Sequence, residues 1–319
     1  MIELKNVSKK FGETLAVNQA SFNVNEKENL ILLGTSGCGK TTTLKIINRL
    51  IEPDEGEIII NGKNILAQNP ETLRREIGYV MQNVGLFPHY TVEENIAVVP
   101  NLLKWERKKT IGRILELIKK LHLPENCLKL FPHQLSGGQQ QRVGLARALV
   151  ANPPILLMDE PFGALDNVTR ASIQLEFKKL DELKRKTIVM VTHDVMEAFE
   201  LADRICLMDK GKIMQIGTPK DLLYKPANNF VKKFLDGQRL ALEFKVISIN
   251  DIWNSLAPSS KANNQVISSE LSVWNAMEQL RSGANEEIFF SNTKNEVKSA
   301  DFTQLTVAFN LYKDSTEHG

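Results

Sequence analysis

A compact apolar run, Asn29–Leu33, leads into the nine residues Gly34-Thr35-Ser36-Gly37-Cys38-Gly39-Lys40-Thr41-Thr42, and no other stretch restricts the fold as tightly. Such a run reads as a strand buried on both faces, and Lys40–Leu50 beyond the glycines reads as a helix. Strand, glycine-rich turn and helix in that order bring backbone N–H groups to a helix N-terminus. There they can close around phosphate oxygens with a favourable dipole behind them. Gly34, Gly39, Lys40 and Thr41 stand at the spacing of a phosphate-binding loop. Lys40 is then placed for β- and γ-phosphates, and the Thr41 hydroxyl for Mg²⁺. Taken alone, the pattern implies only that some nucleoside triphosphate binds.

The strand–helix alternation continues. Ile155–Met158 is a second buried strand, ended by Asp159; Thr187–Thr192 is a third, followed by a helix over Val195–Ala202. Alternation of this kind implies an α/β fold with a mostly parallel sheet covered on both faces, and ligand chemistry at the carboxyl ends of its strands. The N-terminal part differs. Ile2–Val7, Ala16–Val24 and Gly56–Ile60, closed by Asn61-Gly62, read as antiparallel strands with hairpin turns. Thr110–Leu123 carries Ile111, Ile114, Leu115, Ile118 and Leu121 at helical spacing.

After Gly237 the character changes, with ten acids against seven bases. Ser259–Gln265 is polar and turn-rich. Val273, Trp274, Ala276, Met277 and Leu280 have helical spacing; Glu287–Ser291 reads as a strand, Asn292–Asn295 as a turn and the surroundings of Phe302–Leu311 as a helix. The expected division is 1–236 for the nucleotide-binding domain and 237–319 for a small α/β appendage.

Composition narrows the classes. With 42% hydrophobic and 24% charged residues the 319-residue chain is ordinary globular material, and a net charge of +2 without a basic tract gives nucleic acid no electrostatic footing. The longest apolar runs are too short to span a bilayer, and the N-terminus lacks the apolar core of a signal peptide. Cys38, Cys127 and Cys206 have no metal or redox spacing and fit unpaired thiols in a reducing compartment. Cys38 sits inside the loop, so its alkylation is expected to block nucleotide.

Two acids, Asp159 and Glu160, end the Ile155–Met158 strand. A carboxylate buried at a strand end needs a compensating charge, which Mg²⁺ supplies for Asp159. Leu135-Ser136-Gly137-Gly138-Gln139-Gln140-Gln141-Arg142 forms a second glycine-rich element between loop and acids. Ser136, Gly137 and Gly138 can offer donors to an anion at a helix start. A chain that already owns a phosphate loop has use for a second anion site only if another subunit brings the anion.

These elements together resemble the ATP-binding subunits of ABC transporters, with the signature LSGGQ, over about Met1–Asp236. The resemblance implies a P-loop nucleotide-binding domain with a parallel core, an N-terminal antiparallel sheet and a helical lobe over about residues 83–150. It implies Glu160 as the base that polarises the attacking water, and His193 as the residue that contacts the γ-phosphate and steadies water and base. Gln82 in Tyr79-Val80-Met81-Gln82 matches the residue that touches Mg²⁺ and links the site to a membrane subunit. Phe11 falls where an aromatic ring stacks on adenine, and Ala164-Leu165-Asp166 matches the D-loop. The loop residues Gly34 to Thr42 then bind ATP, and Thr41, Gln82 and Asp159 hold Mg²⁺. Ser136, Gly137, Gly138 and Gln139 meet the ATP of a second copy in a head-to-tail dimer.

Gly85-Leu86-Phe87-Pro88-His89, Thr91-Val92-Glu93-Glu94-Asn95-Ile96, Phe131-Pro132-His133 and Pro226-Ala227-Asn228-Asn229-Phe230-Val231 look like the osmoprotectant importer branch. That implies import of a quaternary amine through a separate integral membrane permease, an extracytoplasmic binding protein, and a peripheral place on the cytoplasmic face of the plasma membrane. Importers of amino acids or other polar solutes, and a soluble ATPase switch, are the alternatives. The tail is similar to one degenerate CBS motif; a plain docking or dimerisation appendage is the other reading.

Overall fold

The computed structural model describes residues 1–163, 165–259, 266–283 and 286–317, without the side chains of Asn167, Thr316 and Glu317. Ala164, and the Ser259–Gln265 segment beyond Ser259, lie outside the described residues. The chain divides into two compact units, Met1–Ile216 and Gly217–Gly319. The division falls earlier than the residue 236 expected from the sequence, so the segment after Gly217 belongs with the C-terminal unit.

The first unit opens with strands β1 (Ile2–Phe11) and β2 (Thr14–Val24). Next come β3 (Asn29–Gly34), helix α1 (Lys40–Ile47) and the hairpin of β4 (Glu55–Ile60) and β5 (Lys63–Asn64). β1, β2, β4 and β5 make an antiparallel sheet in the order β2-β1-β4-β5. Helix α1 stops at Ile47, short of the expected Leu50. Arg49 turns left-handed there (φ 49°), and its guanidinium donates to the carbonyl of Ile65, 3.2 Å away.

A short helix α2 (Pro70–Arg75) precedes β6 (Ile77–Val80). The helical lobe follows as α3 (Val92–Leu102), α4 (Arg107–Lys120) and α5 (Gly137–Leu149). Helix α3 starts in a capping box, Thr91 and Glu94 each accepting from the other's backbone N–H, the arrangement that satisfies two orphan donors of a first turn. Then come β7 (Ile155–Asp159), α6 (Asn167–Lys179), β8 (Thr187–Thr192), α7 (Val195–Leu201), β9 (Arg204–Asp209) and β10 (Lys212–Gly217).

The central sheet runs β10-β9-β3-β8-β7-β6, and its β9-β3-β8-β7-β6 pairings are parallel. Its strands read as unbroken apolar runs because both faces are covered. Leu30 and Leu32 of β3, Ile155 and Leu157 of β7 and Val189 and Val191 of β8 pack with α1 and the antiparallel sheet. The alternate residues Ile31, Leu33, Leu156, Met158, Ile188 and Met190 point the other way and are buried too.

The second unit contains α8 (Pro219–Tyr224), α9 (Asn229–Asp236) and α10 (Arg239–Val246), then β11 (Ala257–Pro258) and β12 (Val266–Ser268). Helix α11 (Val273–Ser282), β13 (Ile288–Ser291), β14 (Val297–Ala300) and α12 (Phe302–Glu317) complete it. β12 and β13 are parallel, whereas β13 and β14 are antiparallel. Ile247, Ile249, Trp253, Phe290, Leu305 and Phe309 form its core, so this unit owns an interior of its own.

Candidate active site

The glycine-rich loop joins the carboxyl end of β3 to α1. Gly39 is the N-cap of that helix, with φ 103°, and a Cβ there would lie 2.2 Å from the Ala16 carbonyl oxygen of β2. Only glycine reconciles that backbone with that approach. The Lys40 side chain is buried under the loop and donates to the carbonyls of Gly34 (2.9 Å) and Thr35 (2.8 Å). One residue on, the Thr41 hydroxyl donates to Asp159 Oδ1 at 2.7 Å. Loop and acidic strand end, more than a hundred residues apart in the chain, are thus in direct contact.

Asp159 is buried, and its pKa is raised. Burial is the main cause and the neighbouring Glu160 adds to it, while the Thr41 hydrogen bond, Lys45 and Lys40 oppose it. A carboxylate held under such conditions gains most from a hard cation beside it. Among the described residues no three His, Cys, Asp or Glu side chains stand together as a ready-made metal cluster.

Glu160 leaves the strand in a left-handed conformation (φ 44°), and its N–H donates to the Val191 carbonyl of β8 at 3.0 Å. Strain of this kind, about 1 kcal/mol or more for a non-glycine residue, persists where the surroundings fix it and concentrates at functional positions. It turns the carboxylate between two partners. Gln82 Nε2 donates to Oε2 at 2.9 Å, and His193 Nδ1 lies 3.2 Å from Oε1. Gln82 therefore meets Glu160, whereas Thr41 meets Asp159. Phe11 ends β1, paired with Thr14 across the hairpin, with its ring about half exposed.

Ser136 is the N-cap of α5, and Gly137 and Gly138 form its first turn. The Ser136 hydroxyl accepts from Gln139 N–H at 3.3 Å, and Gln139 Oε1 accepts from Ser136 N–H at 2.9 Å. Among the described residues no hydrogen bond or ion pair joins Ser136–Gln139 to Gly34–Thr42. Arg142 of the same helix makes a bidentate pair with Glu176 of α6, two contacts at 3.0 Å. Asp166 caps α6 by accepting from the N–H groups of Val168 and Thr169.

Three residues missed in the sequence also shape the site. Arg147 of α5 donates to the carbonyls of Gly85 (2.7 Å) and Val84 (2.8 Å), and so fixes the segment that follows Gln82. Asn95, fully buried in α3, binds Phe87 through both its carbonyl and its N–H, and also donates to the Tyr90 and Thr91 carbonyls. Its place inside a family-like motif was visible, but not its task of holding that loop. Glu197 is the third. Between β6 and α3 the chain leaves a groove of about 590 Å³ lined in part by Arg74, Tyr79, Met81, Phe87, Val99 and Arg147.

Cys38, in the loop, is buried. The residue is 1% exposed, and burial pushes its thiol pKa up against the opposing pull of Lys40. Since the thiolate is the reactive form, N-ethylmaleimide should label Cys38 slowly in native protein and fast in urea. Mass spectrometry of the Cys38 peptide checks this; equal rates would contradict it.

The model of the ABC transporter family matches residues 17–163. The glycine betaine uptake ATP-binding protein of Escherichia coli (strain K12) is 47% identical over 277 residues, 87% of this chain and 89% of that protein. The chain belongs to the ABC transporter ATP-binding family. The glycine betaine/carnitine/choline transport ATP-binding protein of Bacillus subtilis (strain 168) is 54% identical over 241 residues, 75% of this chain. That match, like the one to the choline transport ATP-binding protein of the same organism, spans 63% of the relative's length. A solved dimeric ATP-binding cassette, in a post-hydrolysis state with ADP and Pi, superposes with a TM-score of 0.62 at 39% identity, covering 68% of this chain and 98% of its own. Among the described residues no helix is long and apolar enough to cross a membrane.

Proposed function

We propose that the chain binds and hydrolyses ATP with Mg²⁺, pairs with a second copy of itself around two nucleotides, and powers import of a quaternary amine through a separate membrane permease. The observation that carries this is Glu160, held between Gln82 at 2.9 Å and His193 at 3.2 Å, next to the Thr41–Asp159 contact. Glu160 is the general base for water; His193 and Gln82 orient it from either side. Thr41, Asp159 and Gln82 would hold Mg²⁺, whose contribution is to neutralise charge on the phosphates. Lys40 and the loop N–H groups bind phosphate oxygens, and Phe11 offers an exposed face to adenine.

Ser136, Gly137, Gly138 and Gln139 act on the partner copy's nucleotide. Their separation from the chain's own loop supports that reading, as does the dimeric state of the solved relative. The groove between β6 and α3 suits a permease helix, and the chain then works at the cytoplasmic face of the membrane, supplied from outside by a binding protein. The relatives' names, glycine betaine, choline and carnitine, support the substrate class. In the C-terminal unit, the order strand, helix, two strands, helix supports one CBS-like unit.

The test is ATPase activity of the complex reconstituted in vesicles with its cognate permease and binding protein, across candidate betaines. Stimulation of about tenfold or more by one betaine is expected. ATPase activity that no betaine stimulates would move the reading to importers of other polar solutes.

A further inference from the structure

His193 sits in a segment tied off by its neighbours rather than by its own side chain, which is 61% exposed. Before it, the Thr192 hydroxyl donates to Glu197 Oε2 of α7 and accepts from the Asp194 N–H at 3.0 Å. After it, Asp194 Oδ1 accepts from the Glu197 N–H at 3.1 Å. Thr192, Asp194 and Glu197 thus close a ring of three hydrogen bonds with His193 as the residue it encloses in sequence. The other carboxylate oxygen of Glu197 accepts from Gln174 Nε2 of α6 at 3.2 Å, and Arg170 of α6 lies 3.5 Å from Asp194. Helix α6 is the one capped by Asp166.

Glu197 is 5% exposed. A buried acid without a role in the ring would be costly to keep, and its burial raises its pKa, with Asp194 adding to the effect and the Thr192 and Gln174 hydrogen bonds and Arg170 opposing it. The arrangement does more than close a helix, because Asp194 already caps α7.

We propose that Glu197 is a positioning residue for His193, fixing the imidazole against Glu160 and linking it to helix α6. This rests on the ATPase reading above. A histidine held by Thr192 and Asp194 keeps its Nδ1 on Glu160 through the catalytic cycle. When the ring opens, the imidazole swings free while the nucleotide-binding loop, which leaves the neighbouring strand β3, stays intact.

The test uses the purified full chain with its permease, comparing kcat, ATP affinity and melting temperature. Glu197→Ala should lower kcat about 10- to 100-fold, the size expected when an aligned group is lost, and leave ATP affinity within about threefold. Glu197→Gln keeps one oxygen to accept from Thr192, Gln174 can turn its amide over to accept from the new N–H, and kcat should return to within about threefold of wild type. In a His193→Ala background, Glu197→Ala should add no further loss, since residues acting as one unit are not additive. Should Glu197→Ala fail to fold, Thr192→Val removes the hydroxyl at nearly constant volume and should reproduce the loss of kcat. Unchanged kcat in the alanine variant, or in the valine variant where the alanine does not fold, overturns the proposal. So does a double variant whose losses multiply. A wild type that hydrolyses no ATP, with Glu160→Gln indistinguishable from it, would instead sink the parent reading and this one with it.

Discussion

Glu160→Gln should bind ATP as the wild type does and lose hydrolysis by about 10²–10⁴-fold, the range assigned to a positioned general base. The substitution spares everything else the position does. Glutamine adopts the φ of 44° as readily as glutamate, and the backbone N–H still reaches Val191. Its side chain offers one acceptor and one donor in place of two acceptors, but either the Gln82 amide can turn over or His193 can take its other tautomer, so both contacts survive. What disappears is the negative charge that draws a proton from water. With hydrolysis removed, ATP should also hold two copies together, visible as an ATP-dependent shift to a dimer in size exclusion. Single-turnover hydrolysis and titration with a fluorescent nucleotide measure the two halves of the expectation. A variant that keeps more than about a tenth of wild-type turnover would remove Glu160 from the role of base.

The two halves of this site differed in how far the sequence disclosed them. Gly34–Thr42 is local: strand, loop and helix are contiguous, and the spacing of Gly39, Lys40 and Thr41 carries its own geometry. The strands β7 and β8 were equally plain, because sheets buried on both faces leave unbroken apolar runs. Which side chain meets which was not readable. Thr41 on Asp159, Gln82 on Glu160 and Arg147 on the Gly85 carbonyl depend on the parallel order of β3, β8, β7 and β6. That order is a non-local property that no window of sequence contains. Helix ends were missed for a related reason. Beyond the end of α1, Arg49 turns left-handed and its guanidinium reaches Ile65, a partner from another element. Glu197 escaped notice because a lone glutamate four residues after a histidine on a helix reads as a solvated face. Only Thr192 and Gln174 show that it points inward.

Gly39→Ala should abolish measurable ATP binding, with affinity down at least about 100-fold, while Gly37→Ala should weaken it about tenfold or less. Both glycines have positive φ, 103° and 75°, so an alanine at either carries backbone strain of about 1–2 kcal/mol. They differ in what the new methyl meets. At Gly37 nothing lies within 4 Å, whereas at Gly39 the Ala16 carbonyl oxygen would be 2.2 Å away. That oxygen belongs to the backbone of β2, held between the Leu15 and Val17 pairings with β1, and cannot step aside as a flexible side chain would. The N-terminus of α1 has to move instead. It carries Lys40 and Thr41 with it, and breaks the 2.7 Å contact with Asp159 on which the placing of phosphate and cation depends. Calorimetric titration of ATP into the two variants, with melting temperatures measured alongside, separates strain from collision. Strain alone predicts two variants alike in stability and in affinity. Collision predicts that Gly39→Ala stands apart in both, and a Gly39→Ala protein that binds ATP as tightly as Gly37→Ala would show that the loop does not need the close approach to β2.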